Sequence, residues 1–267
     1  MKMMIAVVAL AAATPALAQA SPPGEFEAAA SASLVSDYRF RGVSQTDKEM
    51  AVQAGMSVTH QSGAYAGVWG SNLAGWGTFG GANMELDLYG GYAVEVGAVK
   101  VDVGLTWYMY PGGADKTDFA EPYVKLSTTV GPANLLAGVA YAPKQEALGN
   151  FSNTPQSRGQ SEDNLYLWTD ANAGVPGTPL TLKAHVGYSN GNPGLGPNGT
   201  SLTPTGEYWD WSLGGEAVFG PLTLGVSYVD TDISRANSAY LLPNFSSSKD
   251  GSSIAGGTVV FAVSASF

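Results

Sequence analysis

The sequence predicts an all-β fold: a transmembrane, antiparallel, up-and-down β-barrel of about twelve strands, preceded by a signal peptide. Three observations predict it. Only 13% of the 267 residues are charged, about half the share of an ordinary soluble domain. Beyond the first twenty residues no apolar run reaches the roughly 18 residues that a membrane helix needs. The apolar residues instead alternate with polar ones, in segments longer than the roughly 5–6 residues of an average soluble strand. The 22 acidic residues outnumber the 12 basic ones, for a net charge of −10, which speaks against a nucleic-acid partner. With no cysteine, neither a disulfide nor a thiolate metal site is available.

The elements follow in chain order. Residues 1–20 read as a secretory signal, with Lys2 as basic head, Ile5 to Ala13 as apolar stretch, and Ala16-Leu17-Ala18 as small-x-small cleavage site. Residues 21–267 then form the barrel. The first strand is expected at 28–40, with Leu34, Tyr38 and Phe40 on the apolar parity and Asp37, Arg39 and Arg41 on the other. The second (51–60) alternates on Val52, Ala54, Met56 and Val58, whereas the third (64–72) reads on either parity. In the fourth (83–93), Met84, Leu86, Leu88 and Tyr92 oppose Glu85, Asp87 and Tyr89. The fifth is the clearest: Val99, Val101, Val103, Leu105, Trp107 and Met109 interleave with Lys100, Asp102, Gly104, Thr106, Tyr108 and Tyr110. A period of two sustained over twelve residues is a strand with one apolar and one polar face, long enough to cross a bilayer. The sixth (120–129) sets Val124 and Leu126 against Glu121, Tyr123 and Lys125, and the seventh (133–142) carries Leu135, Ala137, Val139 and Tyr141 on one parity. The eighth (163–174) opposes Leu165 and Leu167 to Tyr166, Trp168 and Asp170; the ninth (179–189) opposes Leu182, Val186 and Tyr188 to Lys183 and His185. The tenth (207–219) opposes Trp209, Trp211 and Phe219 to Asp210 and Glu216. The eleventh (222–230) and twelfth (255–267) repeat the pattern, ending on Phe267 at an apolar-parity position.

Connections after even strands are short, such as Gly131-Pro132 and Gly220-Pro221, and those after odd strands are long. Short turns at one end and long loops at the other characterise outer-membrane barrels, and an even strand count puts both ends of the barrel on the short-turn side. Apolar-parity aromatics cluster at the long-loop ends (Tyr38, Phe40, Trp107, Tyr141, Tyr188, Trp209, Trp211, Tyr228) and the short-turn ends (Tyr92, Phe219, Phe267). Two such girdles mark two membrane interfaces; a soluble sandwich would place its large rings mid-strand.

Several blocks resemble the TorF family of porins: Ser36-Asp37-Tyr38-Arg39-Phe40-Arg41-Gly42-Val43-Ser44-Gln45-Thr46, Gly67-Val68-Trp69-Gly70-Ser71-Asn72, Trp107-Tyr108-Met109-Tyr110-Pro111-Gly112, and Gly220-Pro221-Leu222-Thr223-Leu224. The resemblance implies a porin-type barrel of the Gram-negative outer membrane; with a polar lumen, the expectation is passive diffusion of small hydrophilic solutes. The resemblance carries no catalytic residues. A terminal aromatic such as Phe267 resembles the signal read by barrel-assembly machinery.

The polar parity is expected to line the lumen. Its charged members are Arg39, Arg41, Lys100, Lys125 and Lys183 against Asp37, Glu85, Asp87, Asp102, Glu121, Asp170, Asp210 and Glu216. Five positive against eight negative charges predict a mild preference for cations, since lined charge sets selectivity. Tyr108, Tyr166, Trp168 and His185 join them as pore-lining candidates. The alternative is that these charges pair across the lumen and plug the barrel, for twelve strands lie between filled eight-stranded barrels and open 16–18-stranded porins. Inward rings read either as a stacking track for solutes or as space-fillers. Gly75, Gly77 and Gly80 match G-x-G-x-x-G but lie in a surface loop, away from the βαβ unit that phosphate binding needs. The two histidines, His60 and His185, leave no Ser-His pair on the lipid face and no metal set. The expectation is a non-enzyme with no cofactor or metal, whose partners are outer-membrane lipid and small hydrophilic solutes, with no nucleic acid; the oligomeric state stays open.

Overall fold

The computed structural model describes residues 25–114, 116–149, 160–195 and 201–267; the signal segment at 1–20 lies outside them. Twelve long strands of 9 to 13 residues follow one another: β1 (Phe26–Val35), β2 (Ala51–His60), β3 (Ala64–Asn72), β4 (Met84–Val96), β5 (Val99–Met109), β6 (Phe119–Val130), β7 (Ala133–Gln145), β8 (Glu162–Gly174), β9 (Leu180–Gly191), β10 (Glu207–Phe219), β11 (Leu222–Thr231) and β12 (Thr258–Ser266). Each pairs antiparallel with its sequence neighbours, and β1 also pairs with β12 through Ser31↔Ser266 to Val35↔Ala262, closing the barrel. Closure satisfies every strand edge, the condition lipid imposes on a spanning sheet. The short connections are tight: Gly97 and Gly220 each open a two-residue turn at φ 64° and 59°, the left-handed conformation that a primed hairpin turn demands of its first residue.

The alternation read from the sequence sorts inside from outside. Val52, Met56, Leu88, Val103, Leu105, Leu126, Leu167, Leu182, Leu213, Val226 and Phe261 all face outward and are exposed, as a lipid-facing band must be. Trp107, Tyr141, Trp209, Trp211 and Tyr228 rim the long-loop end; Tyr92, Phe219 and Phe267 rim the other. The ambiguous third strand resolves with Trp69 and Ser71 buried toward the lumen. Bulky inward rings lie against glycines of neighbouring strands. A Cβ at Gly67 would come within 2.4 Å of the Tyr89 ring, at Gly104 within 2.4 Å of the Tyr123 hydroxyl, and at Gly138 within 2.3 Å of Trp168. The missing side chains let the rings lie along the wall.

The first strand is shorter than expected. β1 ends at Val35, and residues 36–46 turn into the barrel mouth as a small hairpin pairing Arg39↔Ser44 and Phe40↔Val43. Tyr38 is therefore buried inside rather than placed in the outer girdle, and Phe40 packs against the inward Tyr108 at 5.8 Å between centroids. These two of the eight residues expected in the long-loop girdle therefore lie inside the mouth instead. The cause is local: the Asp37 carboxylate accepts from the hydroxyl of Ser44 (2.6 Å) and from Arg39 Nε (2.6 Å), which folds the chain back on itself.

Candidate functional site: the lumen and its plug

Arg41 and Gly42 form the two-residue tip of the hairpin, both with positive φ (47° and 79°), as primed turns require. A Cβ on Gly42 would fall 2.4 Å from the Thr231 methyl and 3.0 Å from Asp210 Cβ, so the tip is seated directly on the wall of β10 and β11. From this tip the Arg41 side chain crosses the lumen. Its Nη2 donates to both oxygens of Glu121 on β6 at 2.6 and 2.7 Å, and its Nη1 donates to Asn164 Oδ1 on β8 at 2.7 Å. The guanidinium carbon lies 4.1 Å from the centre of the Tyr166 ring, a cation–π distance. Tyr108 donates to the same Glu121 (3.3 Å), and Tyr166 donates to Asp210 (3.2 Å). Arg39 holds Asp37 at 2.6 Å and the carbonyls of Gly42 and Gly256 at 2.9 and 3.1 Å. Tyr38 donates to Glu85 at 3.1 Å.

Other long loops pack above the hairpin. Val43, Trp76, Tyr208, Ile233, Leu241, Phe245, Ile254 and Ala255 form one buried cluster, with the Trp76 and Phe245 rings edge to face at 4.7 Å. A second cluster joins Tyr38, Trp69, Phe79, Tyr110, Phe119 and Leu202. The glycines at 75, 77 and 80 serve here as turns: Gly75 and Gly80 take φ 59° and 63° in the loop that carries Trp76 and Phe79 into the mouth.

Toward the short-turn end the lumen loosens. His185 sits between Asp170 (Nδ1, 2.6 Å) and Asp210 (Nε2, 3.0 Å). Lys183 pairs with Glu216 at 2.9 Å, and Lys125 lies 3.8 Å from Asp102, which also accepts from Tyr65 at 2.5 Å. The side chains of Asp37, Arg39, Arg41 and Glu121 are 4–5% exposed, whereas those of Asp102, Asp170, Lys183 and His185 are 18–31% exposed. Among the described residues, the lumen is closely packed at the long-loop end, and several polar side chains toward the short turns keep partial exposure.

The seventeen candidates lie on the inward parity of the strands or on the hairpin, and they fall into two sets. Asp37, Arg39 and Arg41 belong to the inserted hairpin rather than to a strand, and with Glu85, Asp87, Tyr108, Glu121, Tyr166 and Asp210 they form the buried half. Lys100, Asp102, Lys125, Trp168, Asp170, Lys183, His185 and Glu216 line the half toward the short turns, where Glu216 is itself buried against Lys183. Sequence reasoning missed Asn164, the second acceptor of Arg41. Its polar-parity position signalled an inward side chain, but nothing local marked its partner 123 residues away.

The family described as "Bacterial protein of unknown function (Gcw_chp)" matches residues 18–267. The chain belongs to the Gcw_chp family. No curated protein sequence matches it. Among solved structures, the NanC porin in a rhombohedral crystal form superposes with a TM-score of 0.56 at 11% identity, over 90% of this chain and 99% of that one. A porin refined at 1.8 Å gives 0.43 at 13% identity over 82% and 62% of the two chains. Salmonella typhi OmpF in complex with daunomycin gives 0.41 at 10% identity over 91% and 97%. At such identities the likeness is one of fold, and only the first is close enough to bear on it. This Gcw_chp chain is a porin-like barrel of the outer-membrane type.

Proposed function

We propose that the protein is an outer-membrane channel for small hydrophilic solutes whose outer mouth is closed by its own first loop, with residues 1–20 as its export signal. The observation that carries this reading is the contrast between the two lumen halves. A polar, partly exposed vestibule ends at a buried, charged constriction in which Arg41 is the central tie. The blocks that resemble TorF porins support the same assignment. The charge surplus supports a cation preference located at that constriction. Among the described candidates, Asp37, Glu85, Asp87, Glu121 and Asp210 oppose Arg39 and Arg41 in the buried half, while Asp102, Asp170 and Glu216 balance Lys100, Lys125 and Lys183 below. Removing the hairpin from the lumen removes both of the cations and leaves wall carboxylates facing the path.

A second reading, a permanently plugged barrel with a role for its surface loops, is favoured by the apolar packing over the hairpin. Planar-bilayer conductance under a salt gradient separates the two. Arg41→Ala leaves Glu121 buried without its cation, a state costly enough (about 3–5 kcal/mol for a broken buried pair) to loosen the hairpin. A channel predicts a mostly closed wild type and frequent, cation-leaning steps from the variant. Steady, fully open wild-type steps would refute the occluded mouth. Silence from both, with folded barrels, would establish the plugged reading.

A further inference from the structure

Most of the groups around the Arg41 guanidinium form a recognition site on the barrel wall, to which the hairpin adds the Phe40 ring at 4.8 Å. Glu121 on β6, Tyr108 on β5 and Asn164 and Tyr166 on β8 belong to the barrel. Glu121, Asn164 and Tyr166 are each at most 4% exposed. Each wall group is fixed by something other than Arg41. Tyr108 donates to Glu121 Oε2 (3.3 Å); Asn164 spends its Nδ2 on Thr203 Oγ1 (3.2 Å), which turns its Oδ1 toward the lumen; Tyr166 is anchored to Asp210 (3.2 Å). The demands of the site are specific. Two different nitrogens of one planar cation reach two acceptors on two strands, while its face lies 4.1 Å from an aromatic centre. A compact ammonium offers a point charge with no flat face and cannot meet both demands at once. Arg41 is presented to the site from a residue held at φ 47°, a backbone state that non-glycine residues adopt only at a cost; the contacts to the wall offset that cost.

We propose that this wall site binds solutes carrying a guanidinium group, and that Arg41 is an internal occupant which such a solute replaces when the hairpin leaves the lumen. The proposal rests on the occluded-channel reading, and it names the solute class: small arginine-like cations. Because Arg41 is tethered, it competes at an effective concentration on the order of millimolar. Free ligand therefore meets a nearly filled site in the wild type and an empty one after Arg41→Ala.

The test is equilibrium binding to purified, folded protein in detergent, by calorimetry and by tryptophan fluorescence, with arginine amide and lysine amide as probes. Arg41→Ala is expected to bind arginine amide saturably, at least about tenfold more tightly than wild type does and about tenfold more tightly than it binds lysine amide. Glu121→Gln added to Arg41→Ala is expected to abolish that binding. Equal affinity for the two amides would overturn the proposal by showing a general cation effect. So would the absence of saturable binding to the folded variant. Should Arg41→Ala not fold, Gly42→Ala, which displaces the tip while keeping every wall group, takes its place with the same outcomes. Binding is read without conductance, so a protein that binds arginine amide but never conducts would sink the channel reading and keep the site.

Discussion

Val103→Arg tests the membrane assignment at the most exposed apolar residue of β5. Val103 is the fifth of the eleven residues of β5, faces outward and is 50% exposed. Eleven residues rising about 3.3 Å each, tilted by about 40–45°, cover about 25 Å along the bilayer normal, the height of the apolar band of such barrels. Val103 then lies about 10 Å above the inner edge, close to the midplane. An arginine there must be desolvated or must drag water and headgroups inward, at about 2–4 kcal/mol. Val99, at the inner end of the same strand and on the same face, is its control, since the same substitution near an interface costs about 0–1 kcal/mol. The assay is reversible urea unfolding in phospholipid vesicles, followed by the fluorescence of the chain's six tryptophans. The expected result is a Val103→Arg free-energy loss about 2 kcal/mol larger than that of Val99→Arg. Equal losses at the two positions would refute the depth argument, and with it the claim that the outward face of β5 meets lipid.

Gly42→Ala should open the mouth: the new methyl meets Thr231 at 2.4 Å in a φ 79° backbone, so single-channel open time should rise while the unfolding midpoint of the barrel stays unchanged. Gly138→Ala should do the reverse, costing about 1–3 kcal/mol of unfolding free energy because the methyl strikes Trp168 at 2.3 Å, with no gain in conductance. In an Arg41→Ala background, replacing Glu85 and Asp87 by lysine should move the reversal potential in a salt gradient toward the anion value; an unchanged potential would place the conducting path elsewhere. Unboiled protein should migrate faster than boiled protein on a denaturing gel, because a closed twelve-stranded sheet has no free edge for detergent to open.

Most of the wall was legible in the sequence because the strand period is two and one face meets lipid. Under that constraint a register slip of one residue would send Lys100 and Asp102 into the membrane, so pattern alone orients β5 and its neighbours. The third strand was ambiguous for the same reason in reverse. Tyr65 and Trp69 are amphipathic, and residues flanking them, Ala64, Ala66 and Gly70, are small enough for either face; pairing with β4, which sets Trp69 opposite Asp87, decides it. Residues 36–41 misled the pattern because a hairpin inserted in the lumen alternates with the same period as a strand in the wall. Periodicity reports that Arg39 and Arg41 share a face and is silent about which surface that face touches.

The sequence by itself determined that this chain is a twelve-stranded barrel with short turns at one end, long loops at the other, aromatic rims and a charged interior. These are local and periodic properties, imposed residue by residue by the lipid. Only the tertiary structure decided that the interior is two regions, one closely packed and one partly exposed, and that the Arg41 guanidinium rests on Glu121, Asn164 and Tyr166. Those contacts join residues 80 to 125 positions apart across the lumen. The barrel's closure brings them within reach, and no local pattern in the chain records that distance.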